Sequence, residues 1–391
     1  MIARIFFFII LALYLPDTYI YFRYIKRRTD LSRWLKWMWW VPGLVLASYT
    51  IGLSLIRDFA PSDITWLNVY LFAFGLVALP KLCFVTFSAL GFLLGKITKS
   101  KRNYGNHIGM LVAVASIYVV IYGSTVGVRE LEVRHVNISF TSLPDSFDGY
   151  RIVQMSDLHV GSIDADLLQR AVRECCHLNP DAILLTGDLQ NMQPSELNGY
   201  GQILSKLKAH DGVFSVLGNH DYSMYINDKA SVKAANELDM KKRQRSYGWR
   251  LLLNNHAIIR RGSDSIVIAG EENDGKPPFP QKADLRKTLQ GITPSAFVIL
   301  MQHDPSAWQR SILPHSKVQL TLSGHTHGGQ ISIFGLRPTE LTGHEDAGLY
   351  SAGARKLFVS TGLGGLVPFR FNMPPQIAVI TLRKTEQKYN K

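Results

Sequence analysis

The chain has 391 residues, 47% hydrophobic and 19% charged, which excludes a disordered protein and leaves room for two or three structural units. Its net charge of +13 invites a nucleic-acid reading until it is divided: residues 1–128 carry thirteen Lys/Arg against four Asp/Glu, and residues 129–391 carry thirty against twenty-six. The basic excess belongs to the apolar first third, so no basic groove for nucleic acid is indicated, and three cysteines, two of them adjacent, cannot build a disulfide framework.

Four apolar stretches, about 5–22, 38–56, 68–94 and 108–128, are each long enough to cross roughly 30 Å of hydrocarbon as a helix. The first is interrupted by Pro16 and Asp17. No small-residue cleavage site follows it, and Tyr19, Tyr21, Phe22, Arg23 and the cluster Lys26, Arg27, Arg28 read as an interfacial exit, so a retained helix is expected. Trp34, Trp37, Trp39 and Trp40 flank the second stretch and Trp66 precedes the third, as an aromatic belt would. Ten basic residues lie between the first and second stretches and between the third and fourth, against Arg4 and Arg57 on the other side. That bias places both chain ends outside the cytoplasm, in a cell or inner membrane, with whatever follows Val128 extracytoplasmic. Lys81, mid-stretch after Pro80, needs a partner at that depth, and Asp17 is the nearest in type. The stretches show neither a Gly-xxx-Gly stripe nor a row of acids, so a pore is not indicated.

From residue 129 to 391 a second domain is expected, joined to the first by only a few residues. Strands are predicted near 131–138, 150–155, 182–186, 213–217, 257–261, 265–269, 297–301, 318–322, 357–360 and 377–382, and helices near 165–177, 195–209 and 228–245. This is an α/β pattern, and in open α/β sheets ligands sit at strand ends.

Those ends carry Ser156-Asp157-Leu158-His159, Thr186-Gly187-Asp188, Gly218-Asn219-His220-Asp221, Gln302-His303-Asp304 and Ser323-Gly324-His325-Thr326-His327. Carboxylate, amide oxygen and imidazole together suit a hard or borderline divalent cation. Side chains two apart on extended backbone point the same way, so Asp-x-His and His-x-His each offer two groups to one site. Any single block is weak, since a lone buried histidine is usually a hydrogen-bonded core residue and an aspartate before a turn is usually a cap, as Asp164 and Asp304 read. Five blocks in series at strand ends answer no packing requirement. His256, His315 and His344 match no block.

Together these blocks resemble the calcineurin-like metallophosphoesterase superfamily, whose order is Asp-x-His, Gly-Asp, Gly-Asn-His-Asp/Glu, His and Gly-His-x-His. The resemblance covers about residues 149–382 and looks most like the bacterial branch held to membranes by an N-terminal segment. It implies a four-layer α/β sandwich, two β-sheets between helices, preceded here by the transmembrane region. It implies one metal held by Asp157, His159, Asp188 and His327, and a second held by Asp188, Asn219, His303 and His325, with Asp188 bridging. Two divalent ions, with manganese expected and iron or zinc as alternatives, would activate a bridging hydroxide against a phosphomonoester or phosphodiester. His220 then resembles the general acid. Some relatives orient that histidine with an aspartate three residues after the bridging one; here that position is Asn191, which leaves Asp221 or a backbone carbonyl to orient it, or leaves the acid less strongly polarised. An arginine found in the protein phosphatases is also missing, which argues against a phosphoprotein specialist.

Two segments bear on substrate. Lys241-Lys242-Arg243-Gln244-Arg245 reads as a solvated helix end or an anionic-lipid contact. The glycine-rich loop 362–371 resembles one that borders the active site, making Arg370 a candidate phosphate contact and its leucines and phenylalanines candidates to meet a bilayer, unless the loop simply packs beneath the sheet. The expected partners are the membrane and a phosphoester, with a lipid-linked one as a candidate; no protein partner is evident. Two alternatives stand beside the phosphoesterase reading. A UDP-diacylglucosamine-type pyrophosphatase of lipid A synthesis would need a cytoplasmic domain, and a non-catalytic membrane protein retaining the fold would be expected to have lost a ligand, whereas none is lost.

Overall fold

Apolar backbone in hydrocarbon can satisfy its hydrogen bonds only within helices or closed barrels, and the first unit, Met1–Val126, is helical. The computed structural model describes residues 2–56, 61–343 and 345–386; Arg57 and His344 lie outside them. Helices α1 (Ile2–Ile20), α2 (Arg33–Met38), α3 (Val41–Ser54), α4 (Pro61–Thr98) and α5 (Gly105–Thr125) follow in order. Among the described residues, three stretches are long and apolar enough to cross a membrane, Ile5–Ile25, Ile64–Thr98 and Gly105–Arg129. The second expected stretch is broken. Its chain turns at Trp39 and Trp40 and restarts at α3 with Pro42 in the first turn, where the missing N–H costs nothing. At about 1.5 Å per residue, the 14 residues of α3 reach only about 21 Å.

Asp17 and Lys81 pair at 2.6 Å, Asp17 fully buried. The Trp39 indole N–H donates to the Asp17 carbonyl at 3.2 Å, and the Lys81 ammonium lies 4.7 Å from the Trp39 ring centre. Gly43 lets α3 approach this pair, because a Cβ there would sit 2.9 Å from Asp17 Oδ2. Further along, Thr50 and Tyr70 share a hydroxyl hydrogen bond of 2.7 Å and Tyr49 donates to the Trp66 carbonyl, so α3 runs beside the first part of α4. The absence of a Gly-xxx-Gly stripe is corrected here. Helix α5 starts three residues before the apolar stretch, at Gly105, and Gly105 and Gly109 are buried against α4, where a Cβ at Gly91 would meet the Gly105 Cα at 2.7 Å. At the same end the Tyr24 hydroxyl bonds to Ser88 and Asn106 at 2.6 and 2.8 Å.

Among the described residues, the second unit, Gly127–Lys391, supplies twelve strands. In chain order they are β1 (Glu132–Phe140), β2 (Arg151–Met155), β3 (Ala182–Leu185), β4 (Val213–Ser215), β5 (Arg250–Leu251), β6 (Asn255–Arg261), β7 (Asp264–Gly270), β8 (Phe297–Met301), β9 (Leu320–Ser323), β10 (Gly348–Ala352), β11 (Arg355–Val359) and β12 (Gln376–Lys384). They form two six-stranded sheets ordered β1-β12-β2-β3-β4-β5 and β10-β11-β9-β8-β7-β6. Within them β2, β3, β4 and β5 are mutually parallel, as are β7, β8, β9 and β11.

Strand alternation builds the layers. Ile152, Leu184 and Phe214 from one sheet meet Ile266, Ile299 and Leu322 from the other in one core. Their neighbours Val153, Ile183 and Val213 turn outward onto a second core containing Leu168 and Val172 of helix α6 (Ala165–His177), and Val298 and Leu300 turn onto a third core around Trp308. This is the four-layer sandwich. Buried Gln154 ties the sheets together, donating to Thr186 Oγ1 at 3.0 Å and the Ser323 carbonyl at 2.9 Å. Asp164 caps α6, accepting from the Asp166 and Leu167 amides.

The helix expected over 195–209 is not continuous. Gly199 takes a φ of +87°, which leaves a 3₁₀ turn at Pro194–Leu197 and the single-turn helix α7 (Gly201–Leu204). Helix α8 (Ala230–Ser246) forms as expected. The edge strands β5 and β10 escape sequence reading, β5 because two residues carry no periodicity.

Candidate metal centre

Five of the seven candidate ligands, Asp157, His159, Asp188, His325 and His327, have φ between +46° and +74°. Their side chains therefore converge through left-handed kinks just after β2, β3 and β9. The extended-strand alternation expected for Asp-x-His and His-x-His is not the device. Such backbone is sparsely populated for residues other than glycine and persists only where surroundings enforce it. Glycines make room: a Cβ at Gly218 would lie 2.6 Å from the Asp188 amide, and one at Gly187 2.9 Å from His303 Nδ1.

Among the described residues three groups of potential ligand atoms result, linked through His159 and Asp188. They are Asp157, His159 and His327; His159, Asp188 and His220; and Asp188, His303 and His325, the atoms of each lying within 4.8 Å of one another. Asp188 Oδ2 stands 3.1 Å from His303 Nε2 and 3.7 Å from His159 Nε2. The Asn219 side-chain oxygen lies 3.1 Å from His303 Nε2, while its amide nitrogen donates to the Tyr225 hydroxyl at 2.6 Å, which fixes the orientation of the amide.

Three of the histidines are held from behind. The Nδ1 of His159 faces the Asn191 side-chain oxygen at 2.8 Å, that of His303 faces the Thr186 carbonyl at 2.7 Å, and that of His220 faces the Asn191 carbonyl. Each ring thus donates from Nδ1 and turns Nε2 forward, the arrangement that supports metal ligation. His159 Nε2 is buried with no hydrogen-bond partner, a lone pair whose isolation is costly unless a cation takes it up.

The electrostatics fit a cation too. Burial pushes His159 down to about 3 and His325 down to about 4, and it carries His327 well below the usual range, so all three rings are neutral at neutral pH. Burial raises Asp157 to about 6, with the Asp188 carboxylate adding to the rise. For His303 burial pulls downward, but the Asp188 carboxylate overrides it and lifts the ring to about 10; in return His303 holds Asp188 well below its ordinary value against burial. Two carboxylates, four imidazoles and an amide oxygen in one buried space match a pair of borderline divalent cations.

Asn191 does double duty, its side chain behind His159 and its carbonyl behind His220. Asp221 does not orient His220. Its carboxylate accepts from the amides of Asp188, Leu189, Gln190 and Gly218, clasping the turn that carries Asp188. Glu196, another buried carboxylate, accepts from the amides of Asn191, Met192 and Gln193 in the same way.

Arg370 is placed differently from the expected phosphate contact. It is 2% exposed, and its guanidinium donates to the carbonyls of Thr361, Gly362 and Gly364, with His327 Nδ1 3.5 Å away. The glycine-rich loop borders the site but packs: the Leu363 and Gly364 amides donate to the carbonyls of Ser156 and Asp157, and Leu363 is buried. On α8, Lys241 and Arg243 pair with Glu237 and Asp239, which makes that basic run chiefly a solvated helix end. Two residues went unnoticed in the sequence. Tyr225, its ring 4.5 Å from that of His220, and Phe279, 5.0 Å from His325, have no signal beyond being aromatic. Phe279 and Lys276 help line a groove of about 250 Å³ beside His325.

Residues 3–128 match a family described as probable calcineurin-like phosphoesterase, transmembrane domain, and residues 150–329 match calcineurin-like phosphoesterase. A Danio rerio transmembrane protein with metallophosphoesterase domain is 31% identical over 252 residues, covering 61% of this chain; the chain spans only 55% of that relative. An uncharacterized metallophosphoesterase of Aquifex aeolicus is 30% identical over 65% of this chain and 92% of its own length. The UDP-2,3-diacylglucosamine pyrophosphatase of Chlamydia trachomatis is 28% identical over 61% of this chain and 86% of its own length.

Proposed function

The chain belongs to the calcineurin-like metallophosphoesterases, metal-dependent hydrolases of phosphoric esters with a membrane domain in this case, and from that premise we propose how its own residues do the work. Asp157, His159, Asp188 and His327 hold one divalent cation, and Asp188, Asn219, His303 and His325 hold the other. The observation that carries this is the run of ligand groups linked through His159 and Asp188, with His159 Nε2 buried and unpartnered. When bound, such a pair polarises the phosphoryl group and lowers the pKa of water, chemistry that suits in-line displacement at phosphorus.

The remaining steps belong to side chains. Asp221 and Glu196 hold the turn at 188–193, so Asp188 and Asn191 keep their places. Asn191 fixes His159 and His220 through one residue. With Nδ1 bound to the Asn191 carbonyl, His220 directs Nε2 forward and serves as general acid, giving its proton to the leaving alkoxide. Tyr225 keeps the Asn219 oxygen turned toward His303. The substrate is a phosphomonoester or phosphodiester, and the argument for a lipid-linked one is the tether, since residues 126–131 are all that join α5 to β1.

For the membrane domain we propose four passes with α3 the shortest. Arg23 and Tyr24, in the helical turn Tyr21–Ile25 that follows α1, lie with Ser88, Phe92 and Asn106 at one end of the bundle, so both basic loops share a side. The chain between them has to cross to the other end, and α3 is the element that does so. Positive loops at the cytoplasm put the catalytic domain outside it. The Chlamydia relative motivates a second reading, hydrolysis of a nucleotide-lipid pyrophosphate, which requires the opposite side.

The test is turnover of paired chromogenic monoesters and diesters by the purified full chain, stripped of metal and refilled with Mn²⁺, beside Asp188→Asn. Metal-dependent turnover that falls at least about 1,000-fold in the variant, roughly 4 kcal/mol of barrier, is expected. Equal turnover in chelator, or in the variant, overturns the assignment. Protease accessibility of the catalytic domain in sealed vesicles separates the two readings.

A further inference from the structure

A second concave site lies in the membrane unit, apart from the candidate metal centre. Arg23, in the helical turn Tyr21–Ile25 that follows α1, and Lys96, Lys99, Lys101 and Arg102 at the end of α4 and its following loop line one pocket of about 330 Å³, whose lining includes no carboxylate. Among the described residues, none of these five cations forms an ion pair. The Arg23 guanidinium sits 4.2 Å over the Phe92 ring and the Lys96 ammonium 4.9 Å from the same ring, so one aromatic face gathers charge from two helices. Five like charges around one hollow repel one another, and an anion relieves that repulsion.

We propose that this pocket binds the phosphate of an anionic phospholipid headgroup. Its place favours a lipid over a free anion. Arg23 and Lys96 lie near the ends of the apolar spans Ile5–Ile25 and Ile64–Thr98, so the hollow stands where membrane helices leave the hydrocarbon. Basic hollows between membrane helices at that level are suited to anionic headgroups. Scattered surface cations would attract anionic membrane without selecting a bound lipid. A pocket retains one.

The full chain, purified in mild detergent from membranes supplied with equal phosphatidylglycerol and phosphatidylcholine, is examined by native mass spectrometry for retained lipid. Preferential retention of phosphatidylglycerol is expected. Arg23→Gln with Arg102→Gln is expected to lower it about 20-fold, at roughly fivefold per cation, while Lys26→Gln with Arg27→Gln, equal in charge but outside the pocket, changes it less than about twofold. Lys96→Gln provides a second arm, with an expected loss of about fivefold, should the double variant fail to fold. Equal losses in the pocket and control pairs would reduce the effect to bulk charge and overturn the site. So would absence of any preference, and inorganic phosphate that raises thermal stability as much as the lipid does would overturn the lipid assignment.

Discussion

In the membrane unit, Asp17 and Lys81 stand 2.6 Å apart with Trp39 against both; in the catalytic unit, His159 turns a buried Nε2 toward Asp188 at 3.7 Å and finds no hydrogen-bond partner. Both regions bury groups that cost free energy to desolvate. The first closes its charges on each other. The second ties His159, His220 and His303 from behind and leaves the forward Nε2 of His159 open. The difference separates a polar group that holds helices together from one arranged to receive something, and burial alone would not have told them apart.

The comparison is most exposed to failure at the ion pair. Asp17→Ala leaves Lys81 unpaired and is expected to destabilise the protein by about 3 kcal/mol or more, while metal-dependent turnover at low temperature stays unchanged. Asp17→Ala combined with Lys81→Ala should recover part of that loss in thermal denaturation. Additive losses in the double-mutant cycle would show that the pair is not a unit.

In the catalytic unit, His220→Asn is expected to slow esters with poor leaving groups about 100-fold, roughly 2.7 kcal/mol, and to spare activated aryl esters, which need no protonation. Equal slowing of both would place His220 outside the proton transfer. Asp221→Asn weakens the clasp on the Asp188 turn, so metal affinity should fall about tenfold, read by competition with a chromophoric chelator. A variant that keeps full affinity would show that the turn holds without the carboxylate.

The smallest effect concerns protons. The Asp188 carboxylate raises His303 to about 10, so that ring carries a proton at neutral pH, whereas burial keeps His159 and His325 neutral with values of about 3 and 4. A cation at His303 must displace its proton. Affinity should therefore rise with pH, about tenfold per unit, until the pH passes about 10, and fall as pH drops. Titration in weak buffer at pH 8 is expected to release about one proton per chain; three or more would contradict the neutral rings.

Much of this was legible in the sequence because strands that bury both faces end abruptly in polar turns. Ile183–Leu185 before Gly187-Asp188 is such a case, and the two-sheet α/β class followed from it. The donors that the structure brings together were readable by type and order. Their geometry was not, since left-handed backbone at Asp157 and His327 leaves no periodic trace. The support behind His220 was hidden for a different reason: it is the carbonyl of Asn191, and every residue has a carbonyl. Arg370 misled because a guanidinium among glycines serves equally well to hold an anion or to collect nearby carbonyls, and here it collects carbonyls. In the membrane unit the helix boundary mattered most, three residues concealing Gly105 and with it the close α4–α5 contact.

The central claim is that ligand groups linked through His159 and Asp188 hold metal for phosphoester hydrolysis. Elemental analysis of the purified full chain, with turnover followed as metal is returned stepwise after chelation, tests it most directly. The account predicts about two divalent ions per chain and turnover that reaches its plateau only as the second is filled. Full hydrolysis by a chain carrying no metal would contradict it.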